Sequence, residues 1–205
     1  MSFWEIYNWK FVLLLILIAY LVGNISPSYL LAKRRKNIDI RTVGSGNAGT
    51  TNTLRYMGKK AAVIVLLIDA LKGSAASYMG YRLGGIEIGY LCALAVIVGH
   101  VFPALLKFKG GKGVATSIGS IVVLAPYLVL VALIIALLVI WKTRYVSLGA
   151  MTGVFLYTVL MIATGARGIP LAVAILLSVF IAFTHRSNIV RLKNKTERKL
   201  GEKVE

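Results

Sequence analysis

The stretch GVATSIGSIVVLAPYLVLVALIIALLVIW, residues 113–141, has no charged side chain and carries a proline at position 126. A helix needs about 20 apolar residues to span the hydrocarbon core of a bilayer. These 29 residues are therefore too many for one upright helix and few for two. Pro126 lies close to the middle, where it breaks or turns a helix. The stretch decides whether the chain makes six membrane crossings or seven.

Composition indicates a membrane protein along the rest of the chain. Of 205 residues, 58% are hydrophobic, and the mean hydropathy is +0.80, which excludes an ordinary soluble domain. The first apolar run has no small-residue cleavage site at its end, so we interpret it as a retained span and not a signal peptide. Five apolar runs near spanning length flank the 113–141 stretch, at about 11–32, 61–81, 86–106, 146–163 and 169–185.

The basic residues select the topology. If the chain turns back at Pro126, five basic clusters face one side and together hold 20 of the 24 Lys and Arg residues. A single helix at 113–141 would place the last two clusters on the opposite side, so the positive-inside rule favours the hairpin. These clusters are Lys33–Arg41, Arg55–Lys60, Lys107–Lys112, Lys142–Arg144 and Arg186–Lys203.

The predicted fold is thus an all-α integral membrane protein of about seven transmembrane helices. Two of the helices are short and form a hairpin around Pro126. The N-terminus lies outside and the C-terminus is cytoplasmic. Residues 1–205 are predicted to form a single polytopic domain with a basic C-terminal tail, residues 186–205.

The net charge of +17 points to anionic partners. The basic residues fall between apolar runs and not along one amphipathic face, so we expect membrane lipids and anionic substrates and no nucleic acid. The single cysteine, Cys92, excludes an intrachain disulfide, and the sequence indicates no metal site.

Three polar, glycine-rich stretches fall on the predicted cytoplasmic face, at 41–60, 99–117 and 184–197. In the first, Gly44, Gly46 and Gly49 match G-x-G-x-x-G, but no strand precedes them, which excludes a dinucleotide site. Glycine-rich backbone with hydroxyl and amide side chains suits an anion. A polar loop that caps the next helix is the alternative. The candidate binding side chains are Ser45, Asn47, Thr51, Asn52 and Arg55.

The second stretch has Lys112 between glycines, immediately before an apolar helix. Its spacing is not that of a nucleotide-binding P-loop. The lysine ammonium and the positive end of the helix dipole would both favour a phosphate there. Gly110, Gly111 and Gly113 complete this candidate site, whereas Lys107 and Lys109 are typical of a membrane boundary.

In the third stretch, His185 precedes Asn188 by three residues, so the two side chains would share a helix face. An acid/base imidazole with an amide donor could meet a substrate there; a polar helix cap is the alternative. For His100 we favour a helix-end residue bonded to a carbonyl, and a catalytic group is the alternative. Neither histidine is followed by an aspartate at the H-x-x-x-x-D spacing of the common glycerolipid acyltransferases, so the sequence does not support a histidine base oriented by an aspartate.

Two further features lie outside the third stretch. Asp69 and Lys72 are spaced to pair within the second span, either to lock helices together or as functional groups. Ser147 follows the basic cluster at 142–144 and could reach the same site.

Taken together, GSGNAGTTN with Arg55, GHVFPALLKFKGGKGVATS, and HRSNIVRL with Glu197 resemble the three motifs of the PlsY family. These are bacterial acyl-phosphate:glycerol-3-phosphate acyltransferases. The resemblance covers nearly the whole chain in order and spacing. The one departure is Asn194 and Lys195, where a glycine is expected nearby.

The resemblance implies transfer of a fatty acyl group from acyl phosphate to the 1-hydroxyl of sn-glycerol 3-phosphate, without a cofactor or metal. Lys112 and its glycines would hold glycerol 3-phosphate, and Ser45, Asn47, Asn52 and Arg55 the acyl phosphate. His185 and Asn188 would be catalytic, orienting the hydroxyl and stabilising the oxyanion. Glu197 would anchor the tail to a basic partner.

Two other classes of protein fit the same loops. A transporter of a phosphorylated solute would use them as a binding site, although no inverted pair of interrupted helices is evident. A non-catalytic scaffold for lipid headgroups is the second.

Overall fold

The computed structural model describes residues 8–202, and the regular secondary structure in this part of the chain is helical, with no strand. The described residues fall into two compact units, within Met1–Leu124 and within Ala125–Glu205. The single domain predicted for residues 1–205 stays a prediction. The described helices are α1 (Trp9–Gly23), α2 (Pro27–Lys36), α3 (Thr50–Val101), α4 (Val114–Leu124), α5 (Pro126–Thr143), α6 (Val146–Ala163), α7 (Gly168–Thr184) and α8 (Arg186–Lys193).

The first predicted span, about 11–32, is broken in the structure. Helix α1 ends at Gly23, and α2 begins at Pro27 with the Ser26 hydroxyl accepting a hydrogen bond from the Tyr29 amide. Proline is favoured at the first position of a helix because it has no amide hydrogen to leave unpaired. The break at residues 24–26 places uncapped backbone carbonyls inside the first unit, a feature that hydropathy alone does not predict.

Helix α3 has a first segment that ends at Gly58, where φ is 80°, and two antiparallel arms after it. Gly85 interrupts it with φ of 79°, a backbone conformation that favours glycine. Contacts then pair residues symmetrically across the turn: Gly84 packs on Ile88, and Gly89 packs on Tyr81. The chain therefore reverses at Gly85, and we call residues 59–84 and 86–101 the two arms of the α3 hairpin. They correspond to the predicted runs at 61–81 and 86–106.

Small residues bring the helices of the first unit close together. A side chain at Gly99 would overlap the Tyr20 carbonyl of α1, and one at Gly119 of α4 would overlap the backbone of Ala70. Such close backbone approach is how helices pack in lipid, where association gains little from the hydrophobic effect.

The second unit begins where the sequence predicts a break. Helix α4 ends at Leu124, and α5 starts with Pro126 in its first turn. The interruption at Pro126 is confirmed; the antiparallel arrangement of the predicted hairpin stays a prediction. At the other end of the unit, α7 and α8 meet at a 60° bend at His185.

Four helical stretches in residues 8–202 are long and apolar enough to cross a bilayer, and α7 with α8 forms a fifth if the bent pair is one span. One of the four, Thr50–Leu106, includes both arms of the α3 hairpin, and α4 is a shorter apolar helix. The number of crossings, about seven, and the orientation of the termini remain predictions.

The contact at Gly119 gives a test of this packing. Gly119→Ala places a methyl group against the Ala70 backbone, and overpacking of this kind costs about 1–3 kcal/mol. The unfolding temperature in detergent should fall accordingly. Val122→Ala, at an exposed position of the same helix, is the control and should change it little. Equal unfolding temperatures for Gly119→Ala and Val122→Ala would contradict the packing described.

Candidate active site

The first loop is organised by Asn52. Its side chain accepts a hydrogen bond from the Ser45 amide (3.1 Å) and donates to the carbonyls of Ile40 (2.9 Å) and Val43 (3.0 Å). Asn52 is only 1% exposed. Because these bonds engage both its oxygen and its nitrogen, Asn52 holds the loop in shape. Its predicted contact with substrate stays a prediction.

The other predicted residues of this loop are nearer the surface. Ser45 is exposed, and Asn47 is half-buried with its amide nitrogen donating to the Ser45 carbonyl (3.0 Å). Thr51 and Arg55 are half-buried on the first turns of α3. Hydroxyl, amide and guanidinium donors therefore lie along one short segment.

The second loop is fixed to the end of the α3 hairpin by its glycines. The Gly110 amide donates to the Val101 carbonyl (3.1 Å), and the Gly111 amide donates to the His100 carbonyl (3.2 Å). A side chain at Gly110 would overlap the backbone, and one at Gly111 would overlap the His100 ring. Glycine is therefore required at both positions by close approach.

Lys112 lies at the start of α4, as the sequence predicts. The Gly113 carbonyl accepts hydrogen bonds from both the amide and the hydroxyl of Ser117, each 2.8 Å, which starts the helix immediately after the lysine. The half-buried Lys112 is therefore next to the first amide groups of a helix, which have no partner within the helix itself. This combination favours a phosphate.

The structure brings the two loops together, through residues that the sequence analysis did not single out. The Ala48 amide donates to the Gly110 carbonyl (3.3 Å), and the Arg41 guanidinium donates to the Leu106 carbonyl (2.7 Å). Asp39 holds Arg41 in an ion pair of 2.8 Å. The hydrogen bond from Arg41 lowers the pKa of the Asp39 carboxyl below its ordinary value.

Inside the α3 hairpin, the predicted pair of Asp69 and Lys72 is confirmed, with 2.8 Å between Oδ1 and Nζ. His100 joins them: its Nδ1 lies 3.2 Å from Asp69 Oδ1 and 2.9 Å from Lys72 Nζ. The predicted carbonyl partner of His100 is therefore wrong for its side chain. The sequence could not show this contact, because it depends on the chain reversal at Gly85.

In the second unit, His185 is fixed in one orientation. Its Nδ1 lies 2.8 Å from the Ile181 carbonyl oxygen, which can only accept, so Nδ1 carries the proton. In the neutral ring, Nε2 is then the basic nitrogen. His185 occupies the bend between α7 and α8 and is 3% exposed. The predicted helix after His185 is present as α8, although it is bent by 60° from α7. The shared face of His185 and Asn188 stays a prediction.

Glu197 joins two of the predicted site residues. Its Oε1 accepts hydrogen bonds from the Ser147 hydroxyl (2.8 Å) and the Asn188 amide, while Oε2 accepts from Arg191 (2.7 Å). The predicted anchoring of the tail to a basic partner is confirmed, with Arg191 as the partner. Lys195 nearby has φ of 58°, the conformation of the glycine expected in this region.

The environment of Glu197 shifts its acidity. Burial raises the pKa of the carboxyl, but the hydrogen bonds from Asn188, Ser147 and Arg191 outweigh burial. The pKa therefore lies below its ordinary value, and the carboxylate is charged at neutral pH. A fixed negative charge thus orients the Ser147 and Asn188 side chains.

Comparisons with known proteins identify the family of the chain. The sequence profile of the family described as glycerol-3-phosphate acyltransferase matches residues 13–195. The chain belongs to this family. A family member from Clostridioides difficile, named glycerol-3-phosphate acyltransferase, is 46% identical over 199 residues, which cover 94% of this chain and 97% of the relative. One from Thermus thermophilus with the same name is 42% identical over 197 residues, covering 93% and 96%.

Two solved structures share the fold of this chain. The crystal structure of PlsY, an integral membrane glycerol 3-phosphate acyltransferase, in its glycerol 3-phosphate form has a TM-score of 0.89 and 35% identity. It covers 93% of this chain and 96% of the PlsY chain. The lysophosphatidic acid form has a TM-score of 0.86 and 34% identity, with 93% and 95% covered. The chain is thus an integral membrane protein that crosses the bilayer several times.

The shifted acidity of Glu197 predicts a pH dependence of stability. A carboxyl whose pKa is lowered by folding stabilises the protein above its unfolded value, ordinarily 4.5, and loses this effect as pH falls through the lower folded value. The wild type should therefore exceed Glu197→Gln in unfolding temperature at pH 7, and the difference should shrink at pH below 4.5. Asp39 titrates in both proteins, so its contribution cancels in the difference between their unfolding temperatures. A difference that does not change with pH would contradict the assignment.

Proposed function

We propose that this chain transfers a fatty acyl group from acyl phosphate to the 1-hydroxyl of sn-glycerol 3-phosphate. The products are 1-acyl-glycerol 3-phosphate (lysophosphatidic acid) and inorganic phosphate, in an early step of phospholipid synthesis. The observation that carries the proposal is the similarity over 93% of the chain to PlsY in both its glycerol 3-phosphate and lysophosphatidic acid forms. The joined loops of the first unit support it independently.

Both substrates are phosphates, and the first unit offers two kinds of phosphate ligand. Lys112 would bind glycerol 3-phosphate as a point charge at the N-terminus of α4, which begins after Gly113. The amides of Gly110 and Gly111 are engaged with the carbonyls of Val101 and His100, so these two glycines hold the loop in position. Ser45, Asn47, Thr51 and Arg55 would bind the acyl phosphate, with the guanidinium making forked contacts to its oxygens. Asn52 acts through the loop that it holds.

The reaction needs little chemical activation by the protein. The hydroxyl oxygen attacks the acyl carbonyl carbon, the bond from that carbon to the phosphate oxygen breaks, and phosphate leaves. Acyl phosphate is a mixed anhydride with a good leaving group, so orientation and charge stabilisation supply most of the acceleration. The hydroxyl proton passes either to His185 Nε2 or to a substrate phosphate oxygen. The amide of Asn188 stabilises the oxyanion. Ser147 donates its hydroxyl hydrogen to Glu197, so it supports Asn188 through that carboxylate.

We place the reaction at the cytoplasmic face of the bacterial inner membrane. The distribution of Lys and Arg supports this orientation, because basic loops remain on the cytoplasmic side. At this face a water-soluble phosphate and a membrane-embedded acyl chain can meet. Labelling of single cysteines at positions 112 and 185 in intact cells tests the orientation; labelling of the two from opposite sides would overturn it.

The activity itself is tested with the purified protein in proteoliposomes. Phosphate should be released from acyl phosphate only when glycerol 3-phosphate is present, with one lysophosphatidic acid formed per phosphate. Flux of glycerol 3-phosphate across the membrane without acyl donor would indicate the transporter instead. Binding of both substrates without product would indicate the scaffold.

The role of His185 can be separated from folding. Loss of a positioned base typically costs about 10²–10⁴-fold in rate, so His185→Ala should reduce kcat within that range while the protein remains folded. The exposed neighbour Ser187→Ala is the matched control and should keep normal kcat. If His185→Ala retains near-normal kcat, the proton goes to substrate phosphate.

The role of Lys112 should appear in substrate affinity. Lys112→Ala removes a charge-assisted contact to phosphate, which should raise KM for glycerol 3-phosphate by about tenfold or more with a smaller effect on kcat. Lys109→Ala removes the same charge from an exposed position in the same loop and should leave KM nearly unchanged. Equal effects of the two substitutions would mean that the loop acts only through its overall charge.

A further inference from the structure

Three charged or titratable side chains, none of which has been given a chemical role, are buried together within the α3 hairpin. Asp69 is 1% exposed, Lys72 is 7% and His100 is 6%. Asp69 and Lys72 lie on one arm and His100 on the other, all within about one ion-pair distance of each other. Burial of such groups is costly in a membrane protein, and a buried ion pair is weak evidence for a purely stabilising role.

The ammonium of Lys72 determines which nitrogen of His100 carries the proton. Nζ has three hydrogens and three acceptors: the carbonyls of Gly23 (3.2 Å) and Ile25, and Nδ1 of His100 (2.9 Å). Asp69 Oδ1 is paired with Nζ by charge, without an aligned hydrogen bond. Since Nδ1 accepts, the proton of the neutral ring is on Nε2. The two carbonyls belong to the break after α1, so Lys72 also satisfies that helix end.

The opposite side of the His100 ring meets the second loop. Nε2 lies where a side chain at Gly111 would be, and the His100 carbonyl accepts the Gly111 amide (3.2 Å). The next bond in the series joins the Gly110 carbonyl to the Ala48 amide of the first loop (3.3 Å). The position of His100 therefore sets the position of Gly110 and Gly111, and through them the first loop.

We propose that Asp69, Lys72 and His100 are positioning residues for the glycine loop at 110–113. Asp69 balances the charge of Lys72, Lys72 fixes the tautomer and orientation of His100, and the ring, with its Nε2–H outward, supports the backbone at Gly111. The proposal rests on the proposed function in assigning glycerol 3-phosphate to this loop. It predicts that the three residues control affinity for that substrate without contacting it.

Two substitutions at His100 separate its inner and outer nitrogens. His100→Asn keeps an acceptor for Lys72 near the position of Nδ1 but removes the group beneath Gly111. It should raise KM for glycerol 3-phosphate about tenfold, with kcat changed less than about threefold. His100→Gln places an amide nitrogen near the position of Nε2 and should return KM to within about threefold of the wild type.

A control is needed for simple loss of stability. Val96 is fully buried on the same arm, one turn before His100, so Val96→Ala should lower the unfolding temperature. It should leave KM unchanged, because its side chain does not support the loop. If His100→Asn raises KM no more than Val96→Ala, or if His100→Gln is as impaired as His100→Asn, the proposal is overturned.

Hydrogen exchange of the Gly110 and Gly111 amides supplies a readout that does not depend on activity. Exchange should be faster in His100→Asn than in the wild type, and unchanged in Val96→Ala. A wild type without acyl transfer would refute the proposed function, whereas equal exchange in wild type and His100→Asn would refute the positioning role.

Should His100→Asn not fold, Lys72→Arg takes its place. Its guanidinium keeps the charge but not the three-donor geometry, so exchange and KM should both rise, and unchanged values overturn the proposal.

Discussion

The structure depends on one constraint of the bilayer: backbone amides and carbonyls that leave a helix must find partners inside the protein. Interruptions of the described helices include those near Asn24, at Gly58 and Gly85, between Phe102 and Gly113, and at His185. Where α1 ends, the Lys72 ammonium takes the place of water and donates hydrogen bonds to the carbonyls of Gly23 and Ile25. The break after α1 therefore requires the buried charge of Lys72. Breaks of this kind also give polar loops a place among the apolar helices.

The same constraint explains how two glycine-rich loops become one surface in the first unit. The second loop folds back on the end of the α3 hairpin through the amides of Gly110 and Gly111. The first loop is held internally by Asn52 and joined to the second by Ala48 and Arg41. The amides of Gly110, Gly111 and Ala48, which a soluble protein could leave to water, are thus paired inside the protein, and the two loops keep a fixed shape beside Lys112.

Much of this arrangement could be predicted from the sequence, for physical reasons that differ between its parts. Apolar runs and Pro126 locate helices, because length and hydropathy are local properties. The three polar stretches identify Lys112, His185 and Asn188 by residue type and order. Contacts between distant residues could not be predicted: Asp69 meets His100 only because the chain reverses at Gly85, and Ser147 meets Asn188 only through Glu197. The break at residues 24–26 was not predicted from the sequence, although Pro27 follows it directly. The importance of this break lies in the backbone carbonyls that it exposes.

Glu197 has a consequence for the tolerance of the C-terminal tail to change. Its carboxylate binds the Ser147 hydroxyl, 50 residues earlier in the chain, and the Asn188 amide, nine residues earlier. Both side chains are therefore oriented by a residue that lies in no helix. A change in this polar tail disturbs α6 and α8 together, although no apolar residue has been altered.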